Sequence, residues 1–229
     1  MATEKTRPER GGGRPDGLSG PALQVHRAVL ATFVRTGQPP ARGELERLAR
    51  ALGADQGAVL AELAESDVLA FAADGRIRAA YPFSAVATPI QVSWAGGPDA
   101  YAMCAIDALG MSAMLGRPVT ITAAEPGTGC VITVRADGDQ ARWDPRTTVV
   151  LAGSAGDADR PSADCACGFI NFFATAGNAR AWASCHPEVT GRLLTQEGAL
   201  RSGVAQFGTL LRAAPQPGLP QGMRESGLP

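Results

Sequence analysis

The sequence contains little of what several common protein classes require. Only two histidines, His26 and His186, occur among the 229 residues, which argues against a Ser-His-Asp relay and against a zinc site rich in imidazole. No apolar run approaches the ~18 residues of a membrane-spanning helix, so we expect a soluble protein without a membrane partner. The 21 basic and 22 acidic side chains leave a net charge of -1, which excludes the strongly basic character of a dedicated nucleic-acid-binding protein.

The chain has an odd number of cysteines and no apolar segment near Met1 of the kind that a secretory signal contains. Both features predict a cytoplasmic, reducing compartment, where cysteines serve as small buried apolar residues, metal ligands or nucleophiles more often than as disulfides. Cys130 follows a turn and is expected to lie in the core. The five cysteines are Cys104, Cys130, Cys165, Cys167 and Cys185.

Composition and apolar periodicity divide the chain into two ordered regions between two tails. Residues 1–20 and 213–229 are rich in Gly and Pro and lack aromatic residues, so both are predicted to be disordered tails. Residues 21–85 show three short helical patterns and a hairpin, which predict a winged-helix-like helical module. Residues 86–212 are predicted to form an α+β catalytic domain built on a mixed β-sheet, against which the helical module packs.

A winged-helix-like module has two common uses, DNA recognition and packing. Residues 1–85 contain 11 basic and 10 acidic side chains, and the region of the third helix carries Asp55, Glu62, Glu65 and Asp67 without any Lys or Arg. Because DNA phosphates repel such a surface, packing is the favoured role. A metal-responsive winged-helix regulator stays an alternative.

A thiol and a carboxyl group, Cys104 and Asp107, lie three residues apart. A helix predicted over residues 100–115, capped by Asp99, would place both groups on one face. Their neighbours are apolar, so burial should raise the pKa of Asp107 and make this carboxyl group a suitable proton carrier. Taken alone, the same spacing is also typical of a buried cysteine beside an unrelated acidic residue.

A second group of cysteines, Cys165 and Cys167, directly precedes an apolar run that predicts a buried strand over residues 167–174. Cysteines separated by one residue point to the same side of a strand, and in an exposed loop they could chelate a soft ion. A structural zinc site that also uses Cys185 and His186 is an alternative, although this spacing does not match a regular tetrahedral zinc site.

Several short motifs together resemble the organomercurial (alkylmercury) lyase family. The resemblance spans about residues 22–212, and the combination of motifs is specific although each motif alone is not. The chain departs from the family pattern at Met103, where Trp is common, at Gly168 and Asn171, where Cys and His are familiar, and at Cys185, where Lys is expected. The matching segments are residues 101–107 (YAMCAID), Gly116-Arg117, Cys167, Phe172-Phe173-Ala174, residues 179–184 (ARAWAS) and residues 78–84 (RAAYPFS).

The resemblance implies a reaction and the residues that carry it. In that family two thiols and one carboxyl group protonolyse a carbon–mercury bond, which releases a hydrocarbon and leaves Hg(II) on the cysteines. Matched by motif, the catalytic residues are Cys104, Asp107 and Cys167. Cys104 and Cys167 would also hold the Hg(II) product transiently, and Cys165 is a further candidate ligand. The candidate walls of the substrate pocket are Met103, Met111 and Phe172.

The resemblance also implies the partners of the protein. It requires no organic cofactor, and Hg(II) is bound only as product. Low-molecular-weight thiols would deliver the organomercurial substrate and help to remove Hg(II), and a mercuric reductase would accept the ion. A non-catalytic protein that binds mercury or another soft metal on the same scaffold is the alternative from a different functional class.

Overall fold

The computed structural model describes residues 15–156 and 160–211, and in this part of the chain the fold contains seven α-helices and eleven β-strands. A short 3₁₀ helix, Cys167–Phe169, links α5 to β10. The helices are α1 (Gly20–Thr36), α2 (Arg42–Ala51), α3 (Gln56–Glu65), α4 (Ala105–Leu115), α5 (Ser162–Cys165), α6 (Ala176–Ser184) and α7 (Gln196–Phe207). The strands are β1 (Leu69–Phe71), β2 (Ile77–Ala80), β3 (Phe83–Ser84), β4 (Ile90–Ser93), β5 (Ala100–Ala102), β6 (Val119–Ala124), β7 (Val131–Asp137), β8 (Gln140–Asp144), β9 (Val149–Ser154), β10 (Ile170–Phe173) and β11 (Thr190–Leu194).

The strands form two sheets, which confirms the predicted α+β class. The larger sheet has the order β1-β2-β3-β5-β4-β6-β7-β8, and the smaller one has the order β10-β9-β11. Every strand pair in the described part of the chain is antiparallel, where the sequence predicts a mixed sheet. The reason is that β5 and β6, which α4 connects, run in the same direction but are separated by β4.

The N-terminal helices pack on the hairpin end of the large sheet. Phe33 of α1 stacks on Phe83 of β3, with ring centroids 5.0 Å apart. The hairpin β1-β2 continues through β3 into the same sheet as the following strands, so a winged-helix arrangement and a domain boundary at residue 85 stay predictions. Of the predicted tails, residues 1–14 and 213–229 lie outside the described residues. Ser19 caps α1 and donates a hydrogen bond to Glu62.

Helix α4 crosses the centre of the molecule and is buried along almost its entire length. The predicted helix over residues 100–115 with an Asp99 cap is wrong at its N-terminal end, because Ala100–Ala102 form β5 and α4 begins only at Ala105. Tyr101 pairs with Gln91 and Ala102 pairs with Phe83, and these ladder hydrogen bonds replace the helical ones. None of the helices in residues 15–156 and 160–211 is long and apolar enough to cross a membrane.

Helix α7 packs closely along α4 and fixes its position. A Cβ atom at Gly203 would lie 2.5 Å from the carbonyl oxygen of Ile106, and one at Gly110 would lie 2.5 Å from the carbonyl oxygen of Gly203. Real Cβ atoms do not approach a backbone this closely, so glycine is required at both positions. The close contact holds the first turn of α4, where the candidate site begins.

Candidate active site

Cys104 and Asp107 come together at the start of α4 through helix capping. Cys104 has extended backbone angles and is the N-cap residue, and its sulfur accepts a hydrogen bond from the backbone N–H of Asp107 at 3.4 Å. N-cap and N3 side chains face each other at a helix start. The two groups are thus neighbours, as the sequence predicts, but the cause is the cap and not a shared helix face.

Cys167 reaches the same place from a distant part of the chain. It is the first residue of the 3₁₀ helix before β10, and its sulfur, the Cys104 sulfur and an Asp107 carboxylate oxygen all lie within 4.8 Å of one another. The side chains are 2%, 3% and 5% exposed for Cys104, Asp107 and Cys167. Among the described residues, no other group of three or more thiol, imidazole or carboxyl side chains lies this close together. The three predicted catalytic residues therefore meet in one enclosed site.

The environment of Asp107 favours its protonated form. Burial raises the pKa of this carboxyl group well above its ordinary range, and the charge and hydrogen bond of Cys104 raise it further. The Oδ2 atom is buried and has no hydrogen-bond partner among the described residues. A neutral carboxyl group of this kind holds a proton in the site and can donate it to a bound molecule.

The interaction between the two thiols shifts their pKa values in opposite directions. Burial raises the pKa of Cys104 well above its ordinary value, and the hydrogen bond to Cys167 raises it further. The same interaction lowers the pKa of Cys167, but burial together with the nearby Asp107, Asp67 and Cys165 raises it by more. Burial therefore favours the protonated form of both thiols, and a soft cation must displace these protons when it binds.

The other cysteines lie outside this cluster. The thiol of Cys165 contacts the carbonyl oxygen of Arg160 at 3.5 Å and does not belong to the group within 4.8 Å. Cys130, expected in the core, is exposed, as is Cys185. The ring of His186 stacks on Trp182 at 3.9 Å. The alternative zinc site is therefore wrong, because its four residues do not form a cluster in the described structure.

The predicted pocket residues occupy three different settings. Met111 lies one turn after Asp107 on α4 and is fully buried, and Phe172 is buried in β10 with its ring edge-on to Trp143 at 6.0 Å. Met103, between β5 and α4, is only partly buried against the core. Their contact with a substrate stays a prediction.

Sequence reasoning missed two residues next to the site, Asp67 and Tyr81. Tyr81 is buried, and its hydroxyl group donates a hydrogen bond to Asp67 at 3.2 Å. Asp67 is the one non-glycine residue with a positive φ, 51°, in the described ranges. A signal for Tyr81 is present, since it lies in the RAAYPFS segment, but no local pattern predicts the contact of Asp67 with Ser162, which lies 95 residues further along the chain.

Comparisons with known proteins agree with this site. A family model described as MerB, alkylmercury lyase, matches residues 83–208, more than half of the chain. The alkylmercury lyase of Streptomyces lividans is 31% identical over 94 residues, which are 41% of this chain and 44% of that protein. The chain therefore matches less than half the length of this curated relative.

A solved structure extends the similarity to most of the fold. The crystal structure of the mercury-bound form of MerB2 has a TM-score of 0.69 and 26% sequence identity, and the match covers 86% of this chain and 94% of that one. The family model includes all three clustered residues, Cys104, Asp107 and Cys167. We conclude that this chain belongs to the alkylmercury lyase family.

Proposed function

We propose that this protein cleaves the carbon–mercury bond of organomercurials by protonolysis and releases a hydrocarbon and Hg(II). The observation that carries the proposal is the enclosed cluster of two thiols and one protonated carboxyl group within 4.8 Å. Membership of the alkylmercury lyase family supports it. The cluster supplies two soft ligands and one proton donor, which are the groups that this reaction needs.

The first step is capture of the organomercurial by a cysteine. Mercury is a soft ion for which thiolate is the preferred ligand. A low-molecular-weight thiol delivers the organic group R as its mercury complex, and the complex exchanges its thiolate for that of Cys104 or Cys167. The released small thiol carries away the proton of the cysteine, so the exchange needs no other reactant.

The second step breaks the bond between carbon and mercury. The other cysteine binds the same mercury atom, while Asp107 donates its own proton to the departing carbon and takes the proton of that cysteine in return. The products are a hydrocarbon R–H and Hg(II) held by the two sulfurs. The sulfurs of Cys104 and Cys167 lie within 4.8 Å of each other, so one ion can bind both. Even zinc, which is smaller than mercury, forms a bond of about 2.3 Å to each sulfur ligand.

Burial of the site assists the proton transfer. Carbon is a poor base, and an enclosed site keeps water from competing for the proton or for the metal. Apolar walls favour alkyl and aryl substituents, for which Met103, Met111 and Phe172 are the candidate contacts. We propose no organic cofactor, because the three side chains supply both metal ligands and the proton.

Product release requires a new ligand for Hg(II). Low-molecular-weight thiols can exchange with the cysteines, and a mercuric reductase is the proposed final acceptor. Cys165 is the nearest additional thiol in sequence to Cys167, and we propose it as a further ligand during release. Because small thiols deliver the substrate and remove Hg(II), and the two cysteines must stay reduced, a reducing cytoplasm is the proposed location.

Arene release from a labelled arylmercurial in the presence of excess small thiol tests the proposal. We expect repeated turnover by the unmodified chain and loss of turnover in Cys104→Ser and Cys167→Ser. The exposed Cys130 provides the matched control, because Cys130→Ser removes a thiol outside the cluster and should keep full activity. Release of no arene by the unmodified chain would contradict the proposal.

A protein that only binds mercury is the second candidate function. The burial of Cys104 and Cys167 favours it, because buried ligands release a metal slowly. A binding protein would take up one mercury per chain in the same assay, release no arene and then stop. The metal-responsive regulator would instead need a DNA contact, which a gel-shift assay at low salt detects. Helix α3, the counterpart of a recognition helix, contains no Lys or Arg.

A further inference from the structure

The dipeptide Tyr81-Pro82 contacts both segments that carry the clustered thiols. The carbonyl oxygen of Pro82 accepts a hydrogen bond at 3.1 Å from the backbone N–H of Met103, the residue directly before Cys104. The hydroxyl oxygen of Tyr81 accepts one at 2.7 Å from the backbone N–H of Ala163, four residues before Cys167. One short piece of chain therefore connects two segments that are about sixty residues apart.

Asp67 completes this connection from the turn between α3 and β1. Its carboxylate accepts hydrogen bonds from the Tyr81 hydroxyl at 3.2 Å and from the backbone N–H of Ser162 at 3.1 Å, and a third from the Ser162 hydroxyl. The positive φ of Asp67 is a conformation that costs energy for a non-glycine residue. Surrounding contacts must hold it, and these hydrogen bonds to the start of α5 do so.

The segment that carries Cys167 depends on such outside contacts. Helix α5 has only four residues, and the 3₁₀ helix that follows has three, so few internal hydrogen bonds fix their position. Besides Asp67 and Tyr81, the segment is held by an ion pair of 2.6 Å between Arg78 and Asp164, and the backbone N–H of Ala155 donates a hydrogen bond of 2.8 Å to the carbonyl oxygen of Cys165. Asp67, Tyr81 and Arg78 all come from the hairpin end of the large sheet.

We propose that Asp67 and Tyr81 are positioning residues that set the distance between Cys104 and Cys167 and thereby allow both sulfurs to bind one Hg(II). The inference rests on the proposed function, which requires a shared ion. Neither residue has a role in the proton transfer described above. Their effect is to hold the Cys167 segment against the segment of Cys104 before mercury enters.

Retention of Hg(II) against a competing thiol tests this role. The full chain carrying Cys130→Ser, Cys165→Ser and Cys185→Ser is the parent, because Cys130 and Cys185 are exposed, Cys165 is a proposed further ligand, and all three could bind mercury outside the pair. One equivalent of Hg(II) is added to the protein, and samples are treated with increasing concentrations of glutathione. After desalting, the mercury that stays bound to the protein is measured from the ultraviolet absorbance of its mercury–thiolate bonds. An ion that both sulfurs bind is retained more tightly, because the protein holds the second sulfur beside the first at a high effective concentration.

We expect Tyr81→Phe and Asp67→Ala to lose mercury at about tenfold lower glutathione than the parent. Cys104→Ser in the same background gives the retention of a site with one thiol of the pair removed. Asp67→Asn is the conservative variant, since asparagine tolerates a positive φ and keeps an acceptor oxygen. It should restore most of the retention that Asp67→Ala loses.

Ser112→Ala is the matched control for a loss of stability without a loss of position. Ser112 is a buried α4 residue whose hydroxyl group also makes two hydrogen bonds, to the carbonyl oxygen of Arg117 at 2.9 Å and from the N–H of Gly138 at 2.8 Å. These bonds lie at the opposite end of α4 from Cys104. We expect a lower thermal midpoint in this variant with mercury retention equal to that of the parent.

The possible failures of the two proposals are distinguishable. If Tyr81→Phe and Asp67→Ala melt at a lower temperature, as Ser112→Ala does, but retain mercury as the parent does, the positioning role is overturned and the proposed function is unaffected. If the parent retains mercury no better than Cys104→Ser, the shared ion itself is overturned, and the positioning role with it. Tyr81→Phe deletes a single oxygen atom, so a folded protein is expected for the comparison.

Discussion

Asp107 is a carboxylic acid at a position where its ionised form is unfavourable. Burial raises its pKa, and one of its oxygens has no partner among the described residues. The unfolded chain gains free energy by ionising this group at neutral pH, whereas the folded chain does so only at a higher pH. A raised pKa of this sign costs stability as the pH rises above the ordinary carboxyl range, so the proposed role of Asp107 as a proton donor comes at the expense of the stability of the fold.

We therefore predict opposite effects of Asp107→Asn on activity and stability. Arene release should fall by about 10²-fold or more, because an amide cannot carry the proton to carbon. The thermal midpoint at pH 7 should rise by a few degrees, about what a gain near 1 kcal/mol gives. Thermal unfolding and single-turnover assays on the same sample check both. Equal loss of stability and activity would show that Asp107 is structural.

His26 predicts a separate dependence of stability on pH. Burial, together with the charge of Arg27, lowers the pKa of His26 from 6.5 to about 4. As the pH is lowered below 6.5, the imidazole of His26 binds a proton in the unfolded chain but not in the folded chain. The free energy of unfolding therefore decreases as the pH is lowered, until about pH 4. The difference corresponds to about 3 kcal/mol at its full extent. Urea unfolding at pH 7, 6 and 5 measures the fall, and His26→Gln should reduce it.

At the scale of elements, the sequence predicted three N-terminal helices but misplaced the start of α4, the helix that carries the candidate site. An apolar pattern continues from Tyr101 through Leu115, and nothing in it marks the change from strand to helix at Cys104. The change depends on Phe83 and Gln91, which pair with β5 from elsewhere in the sheet. Strand β11 was missed because most of its residues are exposed and it lacks an apolar alternation. Strand β8 was missed although Ala141 and Trp143 alternate with polar residues along its five positions.

The contact between α4 and α7 gives a prediction for this pair of elements. Gly203→Ala should destabilise the fold by about 1–3 kcal/mol, because the new methyl group meets the backbone of Ile106 and Gly110 and must push α7 away. Activity should fall as well, since Ile106 lies between Cys104 and Asp107. Gly177→Ala in α6 is the control, because its methyl group would meet only a hydroxyl oxygen at 3.5 Å. Urea unfolding and arene release are measured for both variants. Equal stability and equal activity of Gly203→Ala and Gly177→Ala would contradict the prediction.

At the scale of the whole molecule, the site depends on contacts that no local pattern contains. The motif resemblance selected Cys104, Asp107 and Cys167, and the structure brings these residues together. The distance between the sulfurs, in contrast, depends on the antiparallel order of the sheet and on ties from Asp67 and Tyr81 to α5. Long-range hydrogen bonds between loops carry no periodic signal, so sequence reasoning could name the reacting groups but not the residues that hold them.

The burial of the site predicts the order in which the cysteines react. Iodoacetamide should modify the exposed Cys130 and Cys185 first. Cys104 and Cys167 should follow at least about tenfold more slowly, because they are buried and their raised pKa values leave little thiolate. Peptide mass spectrometry after timed quenching gives the rates. Early labelling of Cys104 would mean that the site is open in solution.

The near-complete enclosure of Cys104, Asp107 and Cys167 also limits the rate of the proposed reaction. A mercurial can reach Cys104 or Cys167 only during the moments in which the surrounding chain separates, and the hydrocarbon and the metal must leave through similar openings. The frequency of those openings is thus a ceiling on turnover that no faster proton transfer can exceed. Bulky mercurials, which need wider openings, would then be processed more slowly than small ones even where their carbon–mercury bonds are weaker.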